Sequence, residues 1–218
     1  MTKILTEARR KGITRLCHFT MSGNFFHILD SGRILPSNVP HNGRRPDDSR
    51  LDGRLDKVCC SLEYPNVWYF ARARSRDEVF RDWVVLTLDL EILGTPGVEF
   101  SARNAADRLA EVGQGMAGFE ALFRETVGAK RRCDGHPGWW PTDDQAEVLV
   151  PEGIPLSMIK TVIVRSAVQA EREKKRFDLL GVECRLPFVV APKLFTPREL
   201  SAAVRSGRRV AEIPLPGD

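Results

Sequence analysis

Chemistry in this chain is most readily organised around Asp143-Asp144-Gln145-Ala146-Glu147-Val148-Leu149-Val150-Pro151. Ala146, Val148 and Val150 alternate with Glu147 and Leu149, so the stretch is expected to be a short strand with a carboxylate on one face and apolar methyls on the other. A lone acid in such a strand is costly to desolvate and tends to be kept where something binds it. The alternative is a glutamate on an edge strand that faces water.

His18 is the second candidate. Ile13 to Cys17 alternates as a strand and is expected to deliver His18-Phe19-Thr20 at its C-terminal end, where a pocket commonly opens. The competing role for a histidine beside a phenylalanine is that of a satisfied core residue. Basic residues form three clusters: Arg44, Arg45, Arg50, Arg54 and Lys57; Lys130, Arg131 and Arg132; and Lys174, Lys175 and Arg176. They serve either as solvated surface or as a track for a polyanion. Net charge is +4, which permits nucleic-acid binding without demanding it. Cys133 and His136 have metal-like spacing but lack a second pair, and no metal is expected. The acid pairs Asp47-Asp48 and Asp143-Asp144 could belong to a metal-dependent nuclease or to solvated turns.

The elements that must position these groups can be read along the 218 residues, a length suited to one domain with a sizeable core. Residues 3–11 suit a basic helix ended by Gly12. Ser22 can cap a helix with Phe25, Phe26, Ile28 and Leu29 buried, and Gly32 ends it. From Pro36 to Lys57 apolar periodicity is nearly absent, as in a functional lid or a disordered loop. Val58 to Leu62 is a strand, Tyr64-Pro65-Asn66 a turn, and Val67 to Ala71 an aromatic cluster suited to the core or to stacking a flat ring. Trp83 to Asp89 is a central strand and Val98 to Ser101 a shorter one. Helices are expected over Ala105–Val112, capped by Asn104, and over Phe119–Val127. Gly113-Gln114-Gly115-Met116-Ala117-Gly118 has the letters of a dinucleotide fingerprint, but a helix is expected before it where the fingerprint needs a strand.

Lys160 to Val164 is a further strand, Ala167 to Leu180 a charged helix closed by Gly181, Cys184 to Val190 a strand, and Pro197 to Arg205 a last helix before a basic tail, 206–218. Strands and helices interleave without the beat of parallel βαβ units, which favours an α+β fold with a mainly antiparallel sheet. The five cysteines are odd in number and unpatterned, as in reduced cytosolic thiols. Met1 to Lys11 has no apolar core, and no run approaches the ~20 apolar residues of a membrane span. A cytoplasmic protein is expected.

Taken together, Cys17-His18-Phe19-Thr20, Arg50-Leu51-Asp52-Gly53, Tyr64-Pro65-Asn66, Phe100-Ser101-Ala102-Arg103-Asn104-Ala105-Ala106 and Asp143 to Val150 resemble the DarT family. These are toxins of bacterial toxin–antitoxin pairs that transfer ADP-ribose from NAD to bases of single-stranded DNA. The likeness runs from about Ile13 to Val164 within an expected core of about 13–190. Arg50-Leu51-Asp52-Gly53 and Tyr64-Pro65-Asn66 look more like the guanine-directed branch, and the thymidine branch's aromatic run is partly present in Tyr69-Phe70-Ala71.

The resemblance implies an ADP-ribosyltransferase-like fold over residues 1–218, NAD as co-substrate, and a macrodomain-type antitoxin as partner. It implies Glu147 as the acid that holds the ribose hydroxyl and stabilises the oxocarbenium-like cation, with Gln145 facing nucleic acid. Arg50 or Arg54 would meet the pyrophosphate or the target base, since a guanidinium fork suits either. His18, Phe19, Thr20, Asn24, Gly32, Ser61 and Tyr69 would hold NAD. Arg44, Arg45, Trp139 and Trp140 would face DNA, the tryptophans stacking on an unpaired base unless they pack beneath their loop.

Overall fold

The computed structural model describes residues 2–39, 53–76 and 82–216. The elements in chain order are α1 (Lys3–Arg10), β1 (Arg15–Met21), α2 (Ser22–Ser31), β2 (Arg33–Ile34), β3 (Lys57–Leu62), α3 (Val67–Arg76), β4 (Trp83–Asp89), β5 (Glu99–Ser101), β6 (Val112–Gln114), α4 (Gly115–Ala121), β7 (Thr126–Val127), β8 (Lys130–Arg131), β9 (Glu147–Pro151), β10 (Ile154–Pro155), β11 (Ile159–Val164), α5 (Ala167–Leu180), β12 (Phe188–Val190), α6 (Pro197–Arg205) and β13 (Ile213–Pro214). Among the described residues the main sheet has the order β13-β12-β11-β4-β1-β3-β9-β5-β6. Its ladders are antiparallel apart from β11 with β12. The expected α+β fold with a mainly antiparallel sheet and flanking helices is the one formed.

Strand alternation divides the core into two layers. Leu16, Val58, Cys60, Leu86, Phe100, Val148 and Val162 join Leu5 and Ala8 of α1, Phe25 and Ile28 of α2, Phe119 of α4 and Phe177 of α5 on one face. Cys17, Val85 and Ile163 join Val67 and Phe70 of α3 and Leu200 and Val204 of α6 on the other. The segment beyond residue 190 is therefore structural rather than appended. Its end is tied down where β13 pairs with β12 and Arg15 bridges to Glu212.

Several local expectations are corrected. β1 runs on to Met21, so His18 lies inside a strand rather than at its end. Ser22 is the first residue of α2 and caps nothing. Val67 to Ala71 is the start of a helix. The helix expected over Ala105–Val112 does not form, because Asn104 Oδ1 accepts from Ala106 N at 2.9 Å and Asp107 Oδ1 from Leu109 N at 2.9 Å. Such local side-chain bonds offer the backbone an alternative to the helix.

The following helix, α4, begins and ends earlier than Phe119–Val127. A strand, β6, and not a helix precedes the Gly113–Gly118 run. That strand is an antiparallel sheet edge with no βαβ unit, so the fingerprint still fails, on different grounds. Its glycines serve packing instead: a Cβ on Gly118 would sit 2.5 Å from the Gly113 carbonyl. The strand expected over Cys184–Val190 shrinks to Phe188–Val190.

Candidate active site

Glu147 opens β9, a strand flanked by β3 on one side and β5 on the other, so the edge-strand alternative is excluded. Ala146, Val148 and Val150 enter the first core layer, and the alternation turns the Glu147 side chain to the opposite face, toward α3. There it is 7% exposed. Burying a carboxylate without donors is costly, and two are in place. Asn66 Nδ2 donates to Oε1 at 3.3 Å, and the Ala105 backbone N–H donates to Oε2 at 3.1 Å.

Register places Glu147 in a row across the sheet. It pairs with Ser101 of β5, while Cys17 of β1 pairs with Ser61 of β3. Extending the β3–β9 register by one position from Cys60 and Val148 sets Ser61 opposite Glu147. The row Cys17, Ser61, Glu147, Ser101 thus points to one face, with about 4.8 Å between neighbours. Ser101 is fully buried, and its Oγ has no partner among the described residues.

Asn66 organises the corner. Its backbone N–H donates to Ser61 Oγ at 3.1 Å, and its Oδ1 accepts from Tyr69 N at 3.1 Å, which caps α3. A second fastener is Asp144, 4% exposed. Its Oδ2 accepts from Trp68 Nε1 at 2.9 Å and Ser201 Oγ at 2.6 Å, and its Oδ1 from Arg205 Nη2 at 3.0 Å. Burial alone would push the Asp144 pKa up, but the bonds from Ser201 and Trp68 and the Arg205 charge outweigh it and hold the group below the usual aspartate range. Asp143 has the opposite balance: burial pushes its pKa up despite a bond from Gln145 N at 2.9 Å.

The β1–β3 ladder stops at Cys17, although β1 stays paired with β4 as far as Met21. An opening is left between residues 18–21 and 57–60, crossed by His18 Nδ1, which lies 2.8 Å from the Cys59 carbonyl. Arg15 O accepts from Glu63 N, so odd-numbered residues of β1 aim their backbone groups toward β3. Phe19 N–H and C=O therefore face the opening. The His18 and Thr20 side chains leave β1 on the face opposite Glu147, so what the strand turns to the opening is the Phe19 backbone, beside the His18 ring that reaches the Cys59 carbonyl.

The other expected site residues fall variously. Tyr69 packs edge-on against Phe19 at 5.8 Å between ring centroids. Asn24 lies in the first turn of α2, and Gly32 ends that helix with φ +71°. Arg54 ion-pairs with Glu99, two residues along β5 from the register partner of Glu147, and so sits on the same face. Arg44, Arg45 and Arg50 lie outside the described residues.

The tryptophan expectation is corrected at Trp140, whereas Trp139 is half-buried. Trp140 is 2% exposed in the second core layer, and Trp139 is covered by the Arg209 guanidinium at 4.4 Å and the Tyr64 ring at 6.0 Å. Arg132, expected on a charged surface loop, instead donates to the carbonyls of Pro137 and Trp140 and to Thr142 Oγ1, which folds this loop onto the core. Cys133 and His136 gather no further ligand, and no group of three or more metal-ligating side chains occurs among the described residues. None of the helices described is long and apolar enough to cross a membrane.

Sequence reasoning gave no role to Asn66, Trp68, Ser101 or Ala105, and the solvated turn it offered for Asp144 is not the buried fastener seen. The motifs containing Asn66, Ser101 and Ala105 were visible, but their convergence on Glu147 was not.

Comparison with known proteins agrees with this geometry. The family model described as "DarT: ssDNA thymidine ADP-ribosyltransferase, DarT" matches residues 17–196. The structure of Thermus sp. 2.9 DarT in complex with NAD+ superposes with a TM-score of 0.62 at 17% identity, covering 84% of this chain and 97% of that one. The same protein in complex with ADP-ribosylated ssDNA gives a TM-score of 0.61 at 17% identity, with the same coverage. Thermosipho africanus DarTG in complex with ADP-ribose gives 0.57 at 16% identity, covering 84% of this chain and 51% of that one. No curated protein sequence matches. The match of the family model over most of its length shows that this chain belongs to the DarT family of NAD-dependent single-stranded-DNA ADP-ribosyltransferases.

Proposed function

We propose that this chain binds NAD at the opening between β1 and β3 and transfers its ADP-ribose to a base of single-stranded DNA, with release of nicotinamide. The observation that carries the reading is Glu147: buried, held by Asn66 Nδ2 and the Ala105 N–H, and in register with Ser61 and the orphaned Ser101 hydroxyl. A carboxylate fixed in this way can accept from a ribose hydroxyl and stabilise the positive charge that develops at the anomeric carbon. The electron pair of the breaking glycosidic bond leaves with nicotinamide, and a nitrogen of the target base forms the new bond and passes its proton to Glu147 or to solvent.

Phe19, through its backbone N–H and C=O, suits the nicotinamide carboxamide, with His18, Thr20, Asn24, Gly32, Ser61 and Tyr69 completing the NAD site. Arg54, on the Glu147 face, suits the pyrophosphate or the base, and Arg50, outside the described residues, is the other candidate for that role. Gln145 faces DNA. Guanine is the favoured base on the strength of Arg50-Leu51-Asp52-Gly53 and Tyr64-Pro65-Asn66, although the family description names thymidine. The setting is a toxin countered by a macrodomain-type antitoxin.

Mass spectrometry of DNA and RNA oligonucleotides after exposure to the protein and NAD tests the whole reading. A mass gain of one ADP-ribose on a DNA base is expected, with none in the Glu147→Ala protein at unchanged melting temperature. Modification of RNA alone, or undiminished activity in Glu147→Ala, refutes it.

A further inference from the structure

Four tryptophans occur in the chain. Trp83 and Trp140 are each 2% exposed, and Trp139 lies under Arg209. Trp68 differs: it is 41% exposed, yet its position is fixed. Its indole N–H is spent on Asp144, which Ser201 and Arg205 immobilise in turn. Two residues before it, Asn66 holds Glu147; three residues after Asp144 comes Glu147 itself. The ring is thus tied by its own bond to the segment that carries the proposed catalytic acid, and a second bond, from Asn66, ties the start of its helix there. The exposed part of this large apolar ring gains nothing for the fold, and its anchoring bond has already removed most of its rotamer freedom.

From these relations we infer that Trp68 is a stacking platform for an unpaired base of the DNA substrate, at or next to the base that receives ADP-ribose. The inference deepens the proposed function and rests on it. An aromatic face accepts any base, so Trp68 supplies affinity and placement while selection among bases is left to polar groups such as Arg54 and Gln145. The platform is preorganised: the Asp144 bond sets the ring plane before DNA arrives, so little entropy is lost on binding. This is the role that the sequence suggested for Trp139 and Trp140, given instead to a tryptophan 71 residues before the first of them.

The test uses the full chain and a fluorescein-labelled single-stranded oligonucleotide read by anisotropy, with NAD affinity measured separately by calorimetry. Trp68→Ala should weaken oligonucleotide binding about tenfold, the effect of losing one base–aromatic stack, and leave NAD affinity unchanged. Trp68→Phe, which keeps a ring, should retain most of the affinity and guards against a folding failure in the alanine variant. A single abasic position walked along the oligonucleotide should cost the wild type a similar factor at one place and cost Trp68→Ala nothing there. Equal oligonucleotide binding by wild type and Trp68→Ala overturns the inference. So does a loss of NAD affinity in place of DNA affinity, which would assign the ring to the adenine or nicotinamide. Failure of the wild-type protein to modify DNA would instead refute the proposed function, and the binding data distinguish the two.

Discussion

Replacing Asn66 separates two jobs that this one side chain performs. Its Oδ1 caps α3 through Tyr69 N, and its Nδ2 donates to Glu147 Oε1. Alanine removes both, whereas serine restores a cap of similar quality and is too short to reach the carboxylate. A hydrogen bond to a charged, buried partner contributes about 1.5–3 kcal/mol. If the bond holds Glu147 where the sugar needs it in the transition state, that energy corresponds to about a 10- to 150-fold loss in kcat/KM. Both variants should show it.

The cap is worth about 1 kcal/mol, or about 2–4 °C in a chain of this length, so Asn66→Ala should melt below Asn66→Ser by that margin while matching it in activity. Single-turnover ADP-ribosylation of an oligonucleotide and thermal unfolding give the two readouts. Asn66→Asp adds a third: it keeps the cap but sets a carboxylate against Glu147, raising one pKa of the pair and moving the acidic limb of the rate profile to higher pH. An Asn66→Ser protein within twofold of wild-type activity would refute the claim that Asn66 positions Glu147.

Gly118→Ala should destabilise the protein by at least about 2 kcal/mol, seen as a lower denaturant midpoint, because its Cβ would lie 2.5 Å from Gly113 backbone atoms that cannot swing away; a variant as stable as wild type would show that β6 and α4 pack more loosely than the structure has them. Asp143→Asn should raise the melting temperature more at about pH 7 than at about pH 4. Burial raises the folded-state pKa of Asp143 above its unfolded value, so the stability tied to its protonation is present at low pH and lost as pH rises through the folded pKa. Asparagine escapes that loss and can still accept from Gln145 N; an equal gain at both pH values would count against the assignment.

Much of the frame was legible because local signals suffice for it. The alternation of β4 and β11, the span of α5 with Gly181 in the left-handed region at φ +65°, and α6 from Pro197 all follow from periodicity and caps within a few residues. Expectations failed where side chains compete with the backbone, as at Asn104 and Asp107, or where only tertiary packing decides, as in the burial of Trp140 and the departure of β1 from β3. Glu147 could be singled out as an acid in an apolar strand. Its surroundings could not, since the Asn66 bond spans 81 residues of sequence and the Ala105 bond 42, and neither leaves a pattern in the intervening chain.

The acids at 143, 144 and 147 illustrate why composition alone cannot assign chemistry. All three are buried, yet partners divide their work. Asp144 is saturated by donors from α3 and α6, which suits a fastener and leaves little capacity for a substrate. Asp143 is penalised for its charge, so ionisation there costs stability. Glu147 alone is in register with a serine hydroxyl that is buried and unsatisfied among the described residues. A buried hydroxyl without a partner costs about 1–3 kcal/mol, an expense more easily explained if a sugar hydroxyl or an ordered water completes the row when substrate is present. On that argument Ser101 and Glu147 together mark the place where a polar ligand would complete the proposed site.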